Sequence, residues 1–138
     1  MNAKGWARDR AEALEALLVE DDDLDANILT AYAGTYEECA IHFTRARTVG
    51  EALRLTRDAQ FDLYFVDFNL GERSTLRLLT ALERDGRRPV VISSISLQEA
   101  ERYRLNSGAL RFLPKGDVSA ASLHPLASEA LCARGHAS

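Results

Sequence analysis

Short apolar runs recur along the chain, and each is as long as a typical β-strand. They cover residues 16–19, 40–43, 63–66, 90–92 and 110–113. Between these runs, apolar residues recur at spacings of three and four, which is typical of amphipathic helices. The positions that predict the first three helices are Leu24, Ile28, Leu29 and Tyr32, then Val49, Ala52, Leu53 and Thr56, then Leu76, Leu79 and Leu82. This alternation of strand and helix predicts an α/β domain with a parallel sheet covered by helices on both faces.

The last predicted helix covers residues 120–133, with Ser119 as its N-cap and Gly135 near its end. The chain of 138 residues has the size of one domain, which we place at residues 14–134. In this division residues 1–13 are an N-terminal extension and residues 135–138 are a short tail. We therefore expect a single-domain protein without a separate output domain.

The charge balance argues against nucleic acid as a partner. Lys and Arg number 17 against 21 Asp and Glu, so the net charge is −4 and a basic excess is missing. No run approaches the roughly 18 apolar residues of a membrane span, and charges are scattered where a signal peptide needs an apolar segment. We expect a cytoplasmic protein with no membrane or nucleic-acid partner.

Cys39, Cys132 and three dispersed histidines lack the spacing of a zinc site.

Polar residues with related chemistry follow four of the five predicted strands. They are, in chain order, Glu20, Asp21, Asp67, Ser93, Ser94 and Lys115. Ligand sites in open α/β sheets lie at the carboxyl ends of the strands, so we expect these side chains to converge. Crowded carboxylates repel one another unless a cation neutralises them, and Mg²⁺ suits an all-oxygen ligand set. With that metal bound, Asp67 would be a nucleophile toward phosphorus, and Lys115 and a serine hydroxyl would hold the phosphoryl oxygens.

Four segments, LLVEDDDLDANIL, FDLYFVDFNL, PVVISS and GALRFLPKGD, resemble the signature segments of response regulator receiver domains. The resemblance covers nearly the whole chain, and it implies the flavodoxin-like (βα)5 fold with strand order 2-1-3-4-5. It also implies that Asp67 is the phosphoacceptor. The metal ligands that it implies are Glu20, Asp21, Asp67 and the backbone carbonyl of Asn69. Lys115 resembles the invariant lysine of the family, and Phe112 resembles the aromatic residue that swings inward on activation.

The function implied by the resemblance is that of a single-domain response regulator with Mg²⁺ as its cofactor. A histidine kinase or a histidine phosphotransfer protein would be the donor, and the downstream protein target is not specified. The output surface would be formed by the fourth helix, fifth strand and fifth helix, where Tyr103 is expected as an exposed aromatic residue beside Phe112. The same surface is where a homodimer would form. We expect no enzyme activity beyond the domain's own phosphorylation and dephosphorylation.

Two neighbouring serines qualify as the switch hydroxyl. Counting forward from Pro89 with the commonest family spacing selects Ser94, but this choice leaves a bulky isoleucine at the next position. Counting back from Gly108 and Lys115 selects Ser93 and leaves a small neighbour. We favour Ser93 and keep Ser94 as the alternative.

The chain departs from the family pattern at two loops. Gly116 follows Lys115 where the family usually has a proline, so we expect a trans peptide bond there. The segment NLGERST after Asp67 lacks the frequent proline, although Gly71 can supply a positive φ and Arg73 would attract an anionic phosphoryl group.

Each of these residues also has a plain structural explanation when it is taken alone. An acidic run such as EDDD is common at a helix N-terminus, and we interpret Asp22, Asp23 and Asp25 in this way, with Asp23 as the N-cap. The main alternative function is a degenerate receiver that acts as a phosphorylation-independent interaction or dimerisation module. Retention of the acidic and lysine positions argues against that alternative. A small phosphatase or other enzyme on the same fold would need a second strong acid–base pair, a cysteine nucleophile or a phosphate-binding glycine loop, which the sequence lacks. A fragment of a longer regulator is a further alternative.

Overall fold

The computed structural model describes residues 13–137, and it contains a five-stranded parallel sheet. The strands are β1 (Leu14–Val19), β2 (Ile41–Ala46), β3 (Leu63–Asp67), β4 (Val90–Ser93) and β5 (Arg111–Pro114). They lie in the order β2-β1-β3-β4-β5, and every neighbouring pair is parallel. The predicted fold class and strand order are confirmed. Of the N-terminal extension expected at residues 1–13, all but Ala13 lie outside the described residues.

Five helices connect or follow the strands. They are α1 (Asp23–Ala33), α2 (Val49–Asp58), α3 (Glu72–Arg84), α4 (Leu97–Arg102) and α5 (Ala120–Ala137). Two short 3₁₀ turns, Phe68–Leu70 and Lys115–Asp117, follow β3 and β5. Both turns come directly after strand ends that the sequence identifies as candidate site positions. In the part of the chain that the structure describes, no helix is long and apolar enough to cross a membrane.

Side-chain caps explain where several helices begin. The carboxylate of Asp22 accepts a hydrogen bond of 2.8 Å from the backbone N–H of Asp25, so the N-cap of α1 is Asp22. The prediction of Asp23 as the cap is wrong by one residue. A capping side chain bonds the backbone N–H three positions later, and the bonded N–H is that of Asp25, three positions after Asp22. The expected cap of α5 does bond in this way, since the backbone N–H of Ser122 donates to Ser119 Oγ over 3.2 Å.

The end of α5 differs from the prediction. The helix continues to Ala137 instead of ending at residue 133, so residues 135–137 of the expected tail extend it, and residue 138 lies outside the described residues. Gly135 costs only about 1 kcal/mol relative to alanine inside a helix, and no proline follows it to stop the helix. A single glycine was therefore too weak a stop signal at this position.

The core has two parts, one on each face of the sheet. Alternate residues of β1 face opposite sides, so Leu17 and Val19 pack with α2, α3 and α4, while Ala16 and Leu18 pack with α1 and α5. All four side chains are buried. This two-sided burial explains why the strands are apolar almost throughout, as the covered faces of a parallel sheet require.

The buried face of α1 is not the one that the apolar spacing predicts. Ala26, Leu29 and Ala33 are buried, whereas Leu24 and Ile28 are 67% and 41% exposed. Alanine side chains let the helix approach the sheet closely, because they add little bulk between the two backbones. The larger apolar residues of the predicted face, with the exception of Leu29, form a stripe that faces solvent.

Candidate functional site

Three carboxylates meet where β1 and β3 end. Ligand atoms of Glu20, Asp21 and Asp67 all lie within 4.8 Å of one another. Glu20 and Asp67 are only 4% and 2% exposed, whereas Asp21 faces solvent. The two strands are adjacent and parallel, so their carboxyl ends lie at the same edge of the sheet. Because the chain order reverses between these strands, the cluster occupies the position where open α/β sheets usually bind ligands.

The electrostatics of Glu20 show how crowded this cluster is. Burial removes water from its carboxylate, and this together with a hydrogen bond to Asp67 raises the pKa of Glu20 to about 8. The backbone N–H of Asp22 donates to Glu20 Oε2 over 3.2 Å and favours the charged form, but it does not outweigh the other two causes. The buried oxygens therefore lack enough positive charge in their surroundings. Such an all-oxygen set is chemically suited to a divalent cation such as Mg²⁺.

Lys115 brings an ammonium group to the cluster from the 3₁₀ turn after β5. Its Nζ lies 3.6 Å from Asp67 Oδ2 and 3.9 Å from Glu20 Oε1. Burial disfavours the charged ammonium, but the hydrogen bond to Asp25 and the nearby carboxylates outweigh it and raise the pKa of Lys115. The lysine is therefore charged at neutral pH.

The shortest contact of Lys115 is with a residue that the sequence analysis assigned to the helix terminus alone. Asp25 Oδ2 lies 2.6 Å from Lys115 Nζ, across 90 residues of sequence. Asp25 lies in the first turn of α1, where acidic residues are common for local reasons. Its interpretation as a solvated helix acid is wrong, because the fold brings it against the lysine. No local sequence signal distinguishes it from Asp22 or Asp23.

Asn69 connects the turn after Asp67 to the end of β4. Its backbone N–H donates to Asp67 Oδ1 over 3.0 Å, and its side-chain oxygen accepts a hydrogen bond of 3.2 Å from Ser93 Oγ. Ser93 is fully buried, while Ser94 is exposed and accepts a longer bond of 3.5 Å from Asn69 Nδ2. Both serines thus bond the side-chain amide of Asn69, which lies in the turn after β3. The role of the Asn69 backbone carbonyl as a metal ligand stays a prediction.

The end of β2 contributes two arginines that the sequence analysis did not identify. Arg45 Nε donates to the backbone carbonyl of Glu20 over 2.9 Å, and both Arg45 and Arg47 pair with Asp23 at 2.8 Å. These contacts lower the pKa of Asp23. A cleft of about 420 Å³ beside the acids is lined by Arg47, Asn69 and neighbouring residues. The sequence signal that could have identified Arg45 and Arg47 was their position at the end of a strand that pairs with β1.

The loop expectations have mixed outcomes. Among the described residues no cis peptide bond occurs, so the bond between Lys115 and Gly116 is trans as predicted. Gly71 adopts a φ of +112°, as expected for the turn that leads into α3. Arg73 is exposed on the first turn of α3, and its expected attraction for a phosphoryl group stays a prediction.

Phe112 lies on β5 at the rim of a second cleft, of about 520 Å³, which is also lined by Leu97, Ala100 and Arg104. Its ring is half-buried, and its backbone N–H donates to Asn106 Oδ1 over 3.1 Å. Tyr103, expected as an exposed aromatic residue, is instead half-buried at the end of α4. Its position is explained by packing against Phe68.

Comparison with solved structures identifies the architecture. A receiver domain from Methanospirillum hungatei described as CheY-like is 23% identical, with a TM-score of 0.68 over 91% of this chain and 99% of that one. The receiver domain of a Francisella response regulator is 22% identical, with a TM-score of 0.67 over 86% and 96% of the two chains. The signal receiver domain of an HD domain-containing protein from Pseudomonas fluorescens is 20% identical, with a TM-score of 0.70 over 90% and 98%. The fold is that of a response regulator receiver domain.

Comparisons with family models and with curated proteins gave no significant match. The receiver fold nevertheless covers most of the chain and nearly all of each of these three domains. The acidic cluster thus lies on a receiver scaffold, at the carboxyl edge of its sheet.

Proposed function

We propose that this receiver domain accepts a phosphoryl group on Asp67 and uses it to switch a protein-binding surface. The observation that carries the proposal is the approach of Lys115 Nζ to within 3.6 Å of Asp67 Oδ2, beside the carboxylates of Glu20 and Asp21. A buried nucleophilic carboxylate, an acidic pair and a cation are the parts that phosphoryl transfer to aspartate requires. Each part comes from the end of a different element, as expected of a built site.

The chemical step follows from these groups. A carboxylate oxygen of Asp67 forms a bond to phosphorus, and the phosphorus–nitrogen bond of a phosphohistidine donor breaks, so the imidazole leaves with its bonding electron pair. Lys115 would donate a hydrogen bond to a phosphoryl oxygen and offset its charge. Water that attacks the phosphorus of the aspartyl phosphate later restores the carboxylate and releases inorganic phosphate. The domain thus acts on no substrate besides its own phosphoryl group.

Glu20, Asp21 and Asp67 are the residues that would hold Mg²⁺, with the Asn69 carbonyl as a further ligand. The raised pKa of Glu20 supports this assignment, because it reports buried oxygens that lack sufficient countercharge. When bound, the metal would supply positive charge to both the carboxylate and the transferring group. Binding of the metal would require that the carboxyl groups of Glu20 and Asp21 are ionised.

The proposed partners follow from the chemistry of the step. A histidine kinase or a histidine phosphotransfer protein would donate the phosphoryl group, and the domain would share the cytoplasm with such a donor. The output would be a protein target that recognises the face formed by α4, β5 and α5, or a second copy of the chain on that face. Ser93 bonds Asn69 beside the site, and Phe112 lines the cleft next to α4; these two are the proposed switch residues.

The test is phosphorylation by acetyl phosphate in the presence of Mg²⁺, followed by intact-mass measurement. We expect the parent to gain one phosphoryl group and Asp67→Asn to gain none, while Asp85→Asn, at the exposed end of α3, serves as a matched control that labels normally. Chelation of the metal should abolish labelling without unfolding the protein. A parent that takes no phosphoryl group would favour the degenerate receiver, a phosphorylation-independent interaction module.

A further inference from the structure

Lys115 has three acidic neighbours, and it binds the one outside the acid cluster. Its Nζ lies 2.6 Å from Asp25 Oδ2, which is a full charge-assisted hydrogen bond. The separations of 3.6 Å from Asp67 and 3.9 Å from Glu20 are ion-pair distances without a hydrogen bond. In this state of the site, the ammonium is therefore committed to Asp25.

The position of Asp25 is fixed by the start of α1. Its backbone N–H donates to the capping carboxylate of Asp22 over 2.8 Å, so the first turn of the helix holds the residue in place. The pair is partly buried, since the side chains of Lys115 and Asp25 are 22% and 36% exposed. A contact held at this depth is screened less by water and salt than a surface ion pair.

A phosphoryl group on Asp67 would compete with Asp25 for the same ammonium. The phosphoryl oxygens carry negative charge and need a hydrogen bond of about 2.7–2.9 Å from the lysine. Asp25 offers the lysine an equivalent bond beforehand and adds a negative charge beside the arriving group. Like charges at this separation disfavour each other, so formation of the phosphorylated state must overcome both effects.

We propose that Asp25 is a positioning residue that draws Lys115 away from the phosphoryl site and thereby lowers the affinity of the site for a phosphoryl group. This inference rests on the proposed function of Asp67 as phosphoacceptor. The pair acts as a latch: the lysine serves the site only in the fraction of molecules in which it has left Asp25. The apparent affinity of any ligand that needs the free lysine is reduced in proportion to that fraction.

The measurement is an NMR titration with beryllofluoride, which takes the place of a phosphoryl group, in saturating Mg²⁺. Asp25→Asn keeps the size of the side chain and removes its charge, so we expect about threefold to tenfold tighter binding than in the parent. Asp25→Glu retains the charge, and its affinity should stay near that of the parent. Asp22→Asn is the matched control, since asparagine still caps the helix, one negative charge is lost nearby, and the lysine contact is kept.

A background without the lysine separates positioning from a general effect of charge or structure. In Lys115→Ala protein, Asp25→Asn should tighten beryllofluoride binding much less than it does in the parent background, because only the repulsion between like charges is left to relieve. Thermal unfolding of each variant shows that it is folded, and Asp25→Ser replaces Asp25→Asn if the latter is not. An equal or weaker affinity of the charge-neutral variant, or a gain of the same size in the Lys115→Ala background, overturns the latch and leaves the proposed function standing. A parent that binds no beryllofluoride overturns the proposed function and the latch together.

Discussion

The ring of Phe68, the residue directly after Asp67, packs against the ring of Tyr103 with centroids 5.2 Å apart. Phe68 is buried in the turn that follows β3, and Tyr103 ends α4. A hydrogen bond between Tyr103 and Glu72 of α3 raises the pKa of the tyrosine and joins the same region. The side chain next to the proposed phosphoacceptor thus packs against the end of α4.

We predict that this contact carries part of the signal from Asp67 to α4. Tyr103→Ala removes the ring and should destabilise the domain by about 1–2 kcal/mol, because a half-buried aromatic pair is lost. Tyr103→Phe keeps the ring and should cost less than about 1 kcal/mol. Urea unfolding measures both changes. Beryllofluoride-induced amide shifts in residues 97–103 should shrink in Tyr103→Ala and persist in Tyr103→Phe, and equal shifts in both variants would contradict the role of the ring.

A second prediction concerns the two serines after β4. Ser93 is buried and donates to the Asn69 side chain, whereas Ser94 is exposed and bonds it more weakly, so Ser93→Ala should uncouple the switch. We expect amide shifts around Phe112 on beryllofluoride addition to fall by at least about half in Ser93→Ala, since a charge-assisted bond is lost. Mg²⁺ affinity should change little. Ser94→Ala is the natural control, and the assignment is reversed if this variant alone loses the response.

A third prediction follows from the raised pKa of Glu20. In the folded protein this carboxyl holds its proton up to pH about 8, whereas its unfolded value is 4.5. The stabilising effect of the bound proton is therefore complete below about pH 4.5 and is lost as the pH rises toward 8. With divalent cations chelated, the melting temperature should fall across this window by on the order of 5 °C more in the parent than in Glu20→Gln.

Added Mg²⁺ should raise the melting temperature of the parent most strongly at the alkaline end of that window, because the metal binds the ionised carboxylate of Glu20. Glu37→Gln, at an exposed loop position, controls for the loss of one charge. Calorimetry or a dye-based melting scan at several pH values measures the difference. The same pH dependence in the parent and in Glu20→Gln would show that another group is responsible.

The elements of the sheet and the acid cluster followed from local information. A strand covered on both faces must be apolar over its whole length, so the strands that carry the site and the residues that end them could be read directly. The run predicted at residues 40–43 is different, because β2 is only partly buried and continues through polar residues to Ala46. Glu20, Asp67 and Lys115 adjoin the apolar runs of β1, β3 and β5, and parallel strands bring their carboxyl ends to one edge. Their convergence was therefore predictable from the alternation of strands and helices alone.

The face that α1 buries could not be predicted in the same way. Both Ile28 and Ala26 belong to plausible apolar faces of this helix, and periodicity alone does not rank them. The choice depends on how closely the helix approaches the sheet, which is a property of the packed layers. Leu29 belongs to both faces and was the one residue of the predicted set that is buried.

By itself, the sequence determined where the five strands lie, their order through the receiver resemblance, and which residues end all of them except β2, because these depend on runs of neighbouring residues. The tertiary structure decided the partners of charged side chains on different elements. Asp25 and Lys115 are 90 positions apart, and Arg45 reaches Glu20 from a neighbouring strand. Three adjacent acids look alike at a helix start, and only the closure of the sheet and helices determines which of them meets the lysine.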